Sequence, residues 1–191
     1  MVLQRLRVET RTAHEQLESN IDLLGRKWTN EFYRQLLEKF YGFYSIIEPS
    51  IWERVQWELV GIDAKKRRKT NLLVQDLKVL GLNCEEIMRL PQCAKVPIVE
   101  TFSQALGCAY VLEGSTLGGQ VITRHLRREL GIESERGASF FTSYGSEVGP
   151  MWRDFTNILN TEDLSQEDED LIVHYACKTF GAFDNWLHDL L

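Results

Sequence analysis

The spacing of apolar residues limits the fold of this chain more than any other feature of its sequence. Apolar and small residues of the first segment recur at steps of three and four, which is the period of one helix face. That stripe consists of Leu3, Leu6, Thr10, Ala13, Leu17 and Ile21. No segment alternates for long between apolar and polar residues, as a half-buried strand would. The pattern therefore predicts an all-α protein of eight or nine helices, one of them ending at Pro49.

Length and charge exclude several classes of protein. A chain of 191 residues without a Gly- or Ser-rich linker fits one domain, residues 1–191. A formal charge of −6 argues against nucleic-acid binding, which needs a basic surface. No apolar run is long enough to span a membrane, and the N-terminus lacks the apolar core of a signal peptide. The four scattered cysteines are therefore expected to be reduced thiols in a cytoplasmic protein.

His14 is the first candidate for a functional residue, because it lies beside the apolar stripe of the first helix. An imidazole that faces the interior needs a hydrogen-bond partner or a metal, so His14 is either a satisfied core histidine or a ligand. Arg7 shares its face, about 10.5 Å away along the helix axis. A nitrogen ligand and a cation at that spacing suit a haem, whose iron binds imidazole and whose propionates bind guanidinium. Arg7 could equally be an ordinary exposed arginine.

Glycines interrupt a second helix, in the apolar segment that extends from about Ile98 to Leu130. Each glycine in a helix interior costs about 1 kcal/mol of helix stability relative to alanine. We call residues 114–119 the glycine segment, and its three glycines need another role that compensates for this cost. Gly114 and Gly118 are one turn apart and create a strip without side chains. The strip indicates either close packing of another helix or a kinked helix whose bare backbone lies against a flat ligand.

Two groups of basic residues have a less specific meaning. The run at residues 65–69 is expected to be a solvated loop or helix end. Arg124, His125, Arg127 and Arg128 form a second basic group, which is either a solvated helix face or a docking site for an acidic electron-donor protein.

The histidine helix and the glycine segment, in this order, resemble the haem oxygenase family, specifically its bacterial branch. The matching stretches are residues 10–14, with Thr10 four residues before His14, and residues 110–119, which read Tyr-Val-Leu-Glu-Gly-Ser-Thr-Leu-Gly-Gly. The resemblance continues through residues 143–155 to 186–187 and so covers most of the chain. It implies the all-α haem oxygenase fold with a kinked distal helix.

The resemblance also implies roles for individual residues. His14 matches the axial iron ligand of the proximal helix, and Gly114 and Gly118 match the glycines that contact the other haem face. Arg7, Tyr110 and Arg153 match positions expected to hold the propionates. Ser115 stands where animal enzymes carry an aspartate that organises distal water, so that water network must be built differently here.

The implied reaction is cleavage of haem b, as both substrate and cofactor, to biliverdin, carbon monoxide and ferrous iron. It uses O2 and electrons from an external ferredoxin or reductase, because the sequence carries no flavin or iron–sulfur motif. The biliverdin could supply a photoreceptor chromophore or accompany iron acquisition. Two other functions stay open at this point: a haem carrier or sensor of the same fold, and a helical interaction module without haem.

Overall fold

The computed structural model describes residues 1–53, 57–161 and 164–188, and within these residues the chain forms helices and no strand. The described α-helices are α1 (Val2–Glu9), α2 (Arg11–Ile21), α3 (Asn30–Trp52), α4 (Ala64–Arg67), α5 (Thr70–Val79), α6 (Cys84–Met88), α7 (Phe102–Gly114), α8 (Gly119–Leu130), α9 (Val148–Thr161) and α10 (Gln166–Leu187). Four 3-10 turns accompany them: Trp57–Val60, Ser115–Gly118, Ser134–Arg136 and Gly145–Glu147. The all-α prediction is confirmed. The count of helices exceeds the prediction because the first helix divides at Thr10 and the basic run contains α4.

Local signals in the sequence fix several helix ends. The Thr29 hydroxyl accepts a hydrogen bond from the Phe32 amide at the start of α3, and Ser165 forms a capping box with Asp168 at the start of α10. Gly131 ends α8 in the left-handed region, with φ of 67°, where a side chain would be strained.

The predicted break at Pro49 is wrong, because α3 continues through this proline to Trp52. A proline in a helix removes one backbone donor and crowds the preceding turn. Here it lies in the last turn, and the nearby residues Ile47, Ile51 and Trp52 bury apolar side chains in the core. Their burial offsets the lost hydrogen bond.

α10 organises the helices that surround the site, since it packs against α7, α1, α2 and α3. Gly107 permits the close approach of α7, because a Cβ at this position would overlap the backbone of Ile172 in α10. α2 lies along α10 as well, so one helix holds both the histidine helix and the helix that leads into the glycine segment. Every helix in the described part of the chain is too short or too polar to span a lipid bilayer.

Candidate functional site

A cavity of about 880 Å³ separates α1 and α2 from the glycine segment. Its walls are mainly apolar and aromatic, with α3 and α10 contributing Phe40, Phe43, Phe180 and Phe183. Pockets for small molecules and cofactors occupy about 300–1,000 Å³, so this cavity admits a large flat ligand.

His14 lines this cavity from α2. Its side chain is 52% exposed, and its ring meets Phe180 of α10 edge-on at 5.6 Å between centroids. The Glu18 carboxylate lies one turn further along α2, with Oε2 3.6 Å from Nδ1 of His14. A carboxylate on that side favours a proton on Nδ1 and leaves Nε2 with its lone pair for a metal.

The rim of the cavity carries Arg7, Arg11 and Tyr110. Arg7 lies on α1 and His14 on α2, because the helix breaks at Thr10, but both residues line the cavity. Thr10 is buried and its hydroxyl donates to the Leu6 carbonyl at 2.7 Å. Burial raises the pKa of the Tyr110 phenol, and the positive charge of Arg7 partly offsets this effect.

Arg153 does not lie among the residues that line the cavity. It is exposed on α9, where its preceding neighbour, Trp152, does line the cavity and packs against Tyr110 with 5.6 Å between ring centroids. The structure therefore brings Arg7, Tyr110 and His14 together and leaves Arg153 outside this group.

The glycines of the glycine segment have different surroundings. Gly114 and Gly118 line the cavity; a Cβ at Gly114 would touch the Trp152 ring at 3.7 Å, and one at Gly118 would meet nothing within 4 Å. A Cβ at Gly119 would instead overlap the Phe141 carbonyl oxygen. The glycines therefore differ in what they permit: Gly119 allows the close approach of the Phe141 backbone, and Gly114 and Gly118 leave bare backbone on the cavity wall.

Ser115 begins the 3-10 turn between α7 and α8. Its hydroxyl lies 2.8 Å from the Leu112 carbonyl, to which it donates, and 3.2 Å from the hydroxyl of Tyr44. A serine has one hydroxyl hydrogen, so Tyr44 is the donor in the second contact. Ser115 lines the cavity, and its oxygen keeps one further acceptor lone pair while its hydrogen stays on the helix.

A cluster of charged residues lies behind the glycine segment, at the residue that precedes Gly114. The Glu113 carboxylate accepts hydrogen bonds from Arg67, from Lys69 at 2.7 Å and from the Tyr144 hydroxyl at 2.8 Å. Arg67, Lys69 and Glu113 are 1–2% exposed. Burial and the Glu113 carboxylate raise the pKa of Tyr144 well above its usual range. We call Arg67, Lys69, Glu113 and Tyr144 the Glu113 cluster.

The Glu113 cluster shows where the sequence reading was wrong. Residues 65–69 do not form one solvated face, because Arg67 and Lys69 are buried while Lys65 and Lys66 are exposed. The available signal was Glu113 itself, a carboxylate inside an otherwise apolar segment, which needs a buried cation as partner. His125 is likewise buried, so the exposed basic residues of α8 are Arg124, Arg127 and Arg128.

A comparison with protein families identifies the family of this chain. The family model described as heme oxygenase matches residues 1–189. The chain belongs to the haem oxygenase family. The family binds haem and degrades it, in agreement with the resemblance of the histidine helix and the glycine segment.

The chain is similar to the heme oxygenase of Xanthomonas campestris pv. campestris. The two are 30% identical over 128 residues, which cover 66% of this chain and 71% of the relative.

Solved haem oxygenases share the fold. The heme oxygenase of Neisseria meningitidis, solved with NO and CO bound, superposes with a TM-score of 0.80 at 22% identity over 100% of this chain and 92% of its own. Heme oxygenase-1 of the cyanobacterium Synechocystis, solved in complex with heme, has a TM-score of 0.80 at 16% identity over 99% of this chain and 91% of its own. The heme oxygenase of Leptospira interrogans has a TM-score of 0.71 at 16% identity and covers 98% of both chains.

Proposed function

We propose that residues 1–191 form one haem oxygenase domain that cleaves haem b to biliverdin, carbon monoxide and ferrous iron. The observation that carries this proposal is the placement of His14 and of Gly114 and Gly118 on one cavity, on different helices. An imidazole on one wall and bare backbone on another suit a flat ring with a metal at its centre.

His14 is the residue proposed to bind the haem iron, through Nε2. Glu18 supports this role because its carboxylate lies 3.6 Å from Nδ1 and so leaves the Nε2 side of the ring free of this contact. A neutral imidazole donates less electron density to iron than a cysteine thiolate, which favours O–O cleavage. The ligand type therefore suits an oxygenase whose substrate is the haem ring itself.

Arg7, Arg11 and Tyr110 are proposed to hold the haem propionates at the rim. Two guanidinium groups and a phenol donate hydrogen bonds, and these are strong because the accepting propionate carboxylates are charged. Arg11 is added here because it lines the same cavity. The role of Arg153 stays a prediction from the resemblance; replacing it by alanine tests that role, and an unchanged hemin affinity and biliverdin isomer would remove it from the site.

The glycine segment is proposed to shape the side of the haem where oxygen reacts. Bound haem supplies the iron that activates O2 and the ring carbon that is oxidised. Gly114 and Gly118 leave room beside the ring, and the Ser115 hydroxyl, which contacts Tyr44 and the Leu112 carbonyl, is proposed to accept a hydrogen bond from water there. None of these three residues supplies a carboxylic acid, so protons are proposed to reach the site through water.

Electrons are proposed to come from a separate ferredoxin or reductase. Arg124, Arg127 and Arg128 are exposed on α8, which continues from the glycine segment, and they would attract an acidic donor protein. The reaction is proposed to take place in the cytoplasm, where the unpaired cysteines stay reduced. Released biliverdin is then available to a photoreceptor that binds it as a chromophore.

Aerobic turnover of bound hemin tests this function. The purified protein is mixed with one equivalent of hemin, reduced with ascorbate or a ferredoxin–reductase pair in air, and followed by absorption. We expect the Soret band to decay, a biliverdin spectrum to appear and carbon monoxide to be released. A haem spectrum that persists would instead identify a carrier or sensor of the same fold, and a hemin titration without any Soret shift would exclude a haem site.

A further inference from the structure

Trp152 occupies the space beside Tyr110 and Gly114 on the cavity wall. These two residues are one turn apart on α7, so they lie on the same face of that helix. The Trp152 ring packs against the Tyr110 ring with 5.6 Å between centroids. Its Cη2 and Cζ3 atoms lie 3.7 and 3.8 Å from the place that a Cβ of Gly114 would take. The far edge of the indole therefore stands next to the bare backbone of the glycine segment.

The position of Trp152 is fixed from behind. Its ring packs on Phe155, which is fully buried, with 6.0 Å between centroids. The carbonyl of the preceding residue, Met151, accepts a hydrogen bond from the buried Arg67 guanidinium at 3.2 Å, and the same guanidinium donates to the Glu113 carboxylate. One side chain thus ties α9, just before Trp152, to the end of α7.

A haem in this cavity needs a contact that fixes its rotation. Its four meso carbons are distinguished by their places relative to the propionates, so a rotation about the axis through the iron brings another carbon to the same point of the protein. A bond from His14 to the iron is itself that axis and permits the rotation. Arg7 and Arg11 are exposed, and their long side chains can follow the propionates. A rigid side chain at the edge of the ring is the remaining constraint.

We propose that Trp152 is a specificity-determining residue, which blocks the space beside Gly114 for the haem edge and so selects one meso carbon for oxidation. This inference rests on the proposed haem site. An indole is rigid, because its side chain has only two torsions. A close apolar contact discriminates about tenfold or more for one methylene, so a packed indole excludes a second orientation of the ring.

The test is the isomer composition of the biliverdin that wild type and Trp152→Ala form from hemin, separated by chromatography against the isomers from chemical oxidation of haem. We expect wild type to form one predominant isomer. In Trp152→Ala the minor isomers should rise about tenfold, because the haem edge can turn into the space that the indole leaves. A wild-type product that is a mixture of isomers would contradict the inference.

Proton NMR of the hemin-loaded protein in its ferric cyanide form measures the orientation without turnover. The shifts of the haem methyl groups depend on how the ring is rotated against the axial imidazole. We expect Trp152→Ala to show methyl signals at shifts that wild type lacks. Weaker hemin binding with the methyl pattern and isomer of wild type would mean that Trp152 only adds apolar contact, and this result would overturn the inference.

Trp186→Ala is the matched control. Trp186 is half-buried like Trp152, but its Nε1 donates to the Lys39 carbonyl at 2.7 Å, and it is not among the described residues that line the cavity. We expect this substitution to leave the methyl pattern and the isomer as in wild type. A change as large as that in Trp152→Ala would overturn the inference.

Folding is checked by helical circular dichroism. If Trp152→Ala fails to fold, Trp152→Leu decides, because leucine keeps an apolar side chain on α9 but is too short to replace the far edge of the indole. We expect the minor isomers to rise in this variant too, and an unchanged isomer would overturn the inference. Wild type without a Soret shift on hemin addition would refute the proposed function together with this inference. Hemin turnover with the same isomer in every variant would refute only the inference.

Discussion

His14 and Gly114 line the same cavity, but the helices that carry them are anchored in different ways. In α2, two of 11 residues are buried, Leu17 and Ile21, and an exposed contact from Asn20 to Asp184 at 2.9 Å ties the helix to α10. In α7, ten of 13 residues are buried, and the helix ends at the Glu113 cluster.

Because of this difference, we call α7 with the glycine segment the rigid wall of the cavity, and α2 its adjustable wall. Exposed polar contacts contribute little to stability, whereas breaking a buried ion pair leaves an uncompensated charge. The glycine segment is therefore fixed by the fold, and α2 can adjust its position to a bound ligand at a small cost in free energy. Such a movement of α2 would let His14 keep its distance from the iron of a bound haem.

The largest expected effect comes from breaking the rigid wall. Arg67→Met leaves Glu113 with one cation fewer in a buried site, so we expect a loss of about 3–5 kcal/mol in unfolding free energy. Urea denaturation without ligand measures it. Asn20→Ala is the comparison on α2, where the Asn20 side chain donates to Asp184 of α10; we expect a much smaller loss. Equal losses would mean that the two walls are held equally firmly.

The next effect compares two adjacent glycines of the rigid wall. Gly119→Ala places a methyl group against the Phe141 carbonyl, so we expect a loss of about 1–3 kcal/mol from overpacking. Gly118→Ala places it in open space, so we expect a gain of up to about 1 kcal/mol from helix propensity. Urea denaturation of both variants checks the pair. A similar destabilisation by both would show that Gly118 also serves packing.

A smaller effect concerns alkaline pH. The pKa of Tyr144 is raised above its ordinary value of 10.0 in the folded protein, mainly by burial. The folded state then keeps a proton that the unfolded state releases above about pH 10, so stability falls as the pH rises past that value. We expect Tyr144→Phe to flatten this fall in unfolding free energy between pH 9 and 11. A slope identical to wild type would show that Tyr144 does not contribute to it.

The comparison of the two walls also explains what the sequence could predict. His14, Gly114 and Gly118 were recognisable because each is unusual within its own helix, a histidine beside an apolar stripe and glycines in a helix interior. Their shared cavity could only be inferred through the resemblance to a family, since nothing local relates residues 100 positions apart.

The Glu113 cluster escaped prediction for a physical reason. Arg67 and Glu113 are 46 residues apart, and the burial of each depends on the other. A local reading assigns every charge in a basic run to solvent, which was correct for Lys66 and wrong for Arg67. Similarly, the break at Thr10 is invisible in the sequence because the apolar stripe continues across it.

Hemin titration of His14→Ala, with and without added imidazole, tests the central claim most directly. Because His14 is half exposed, the substitution should leave the unfolding free energy nearly unchanged. We expect the Soret spectrum of the histidine-bound haem to be lost and to return when exogenous imidazole fills the space. A spectrum of His14→Ala that equals wild type without imidazole would contradict the assignment of the iron ligand and the haem site built on it.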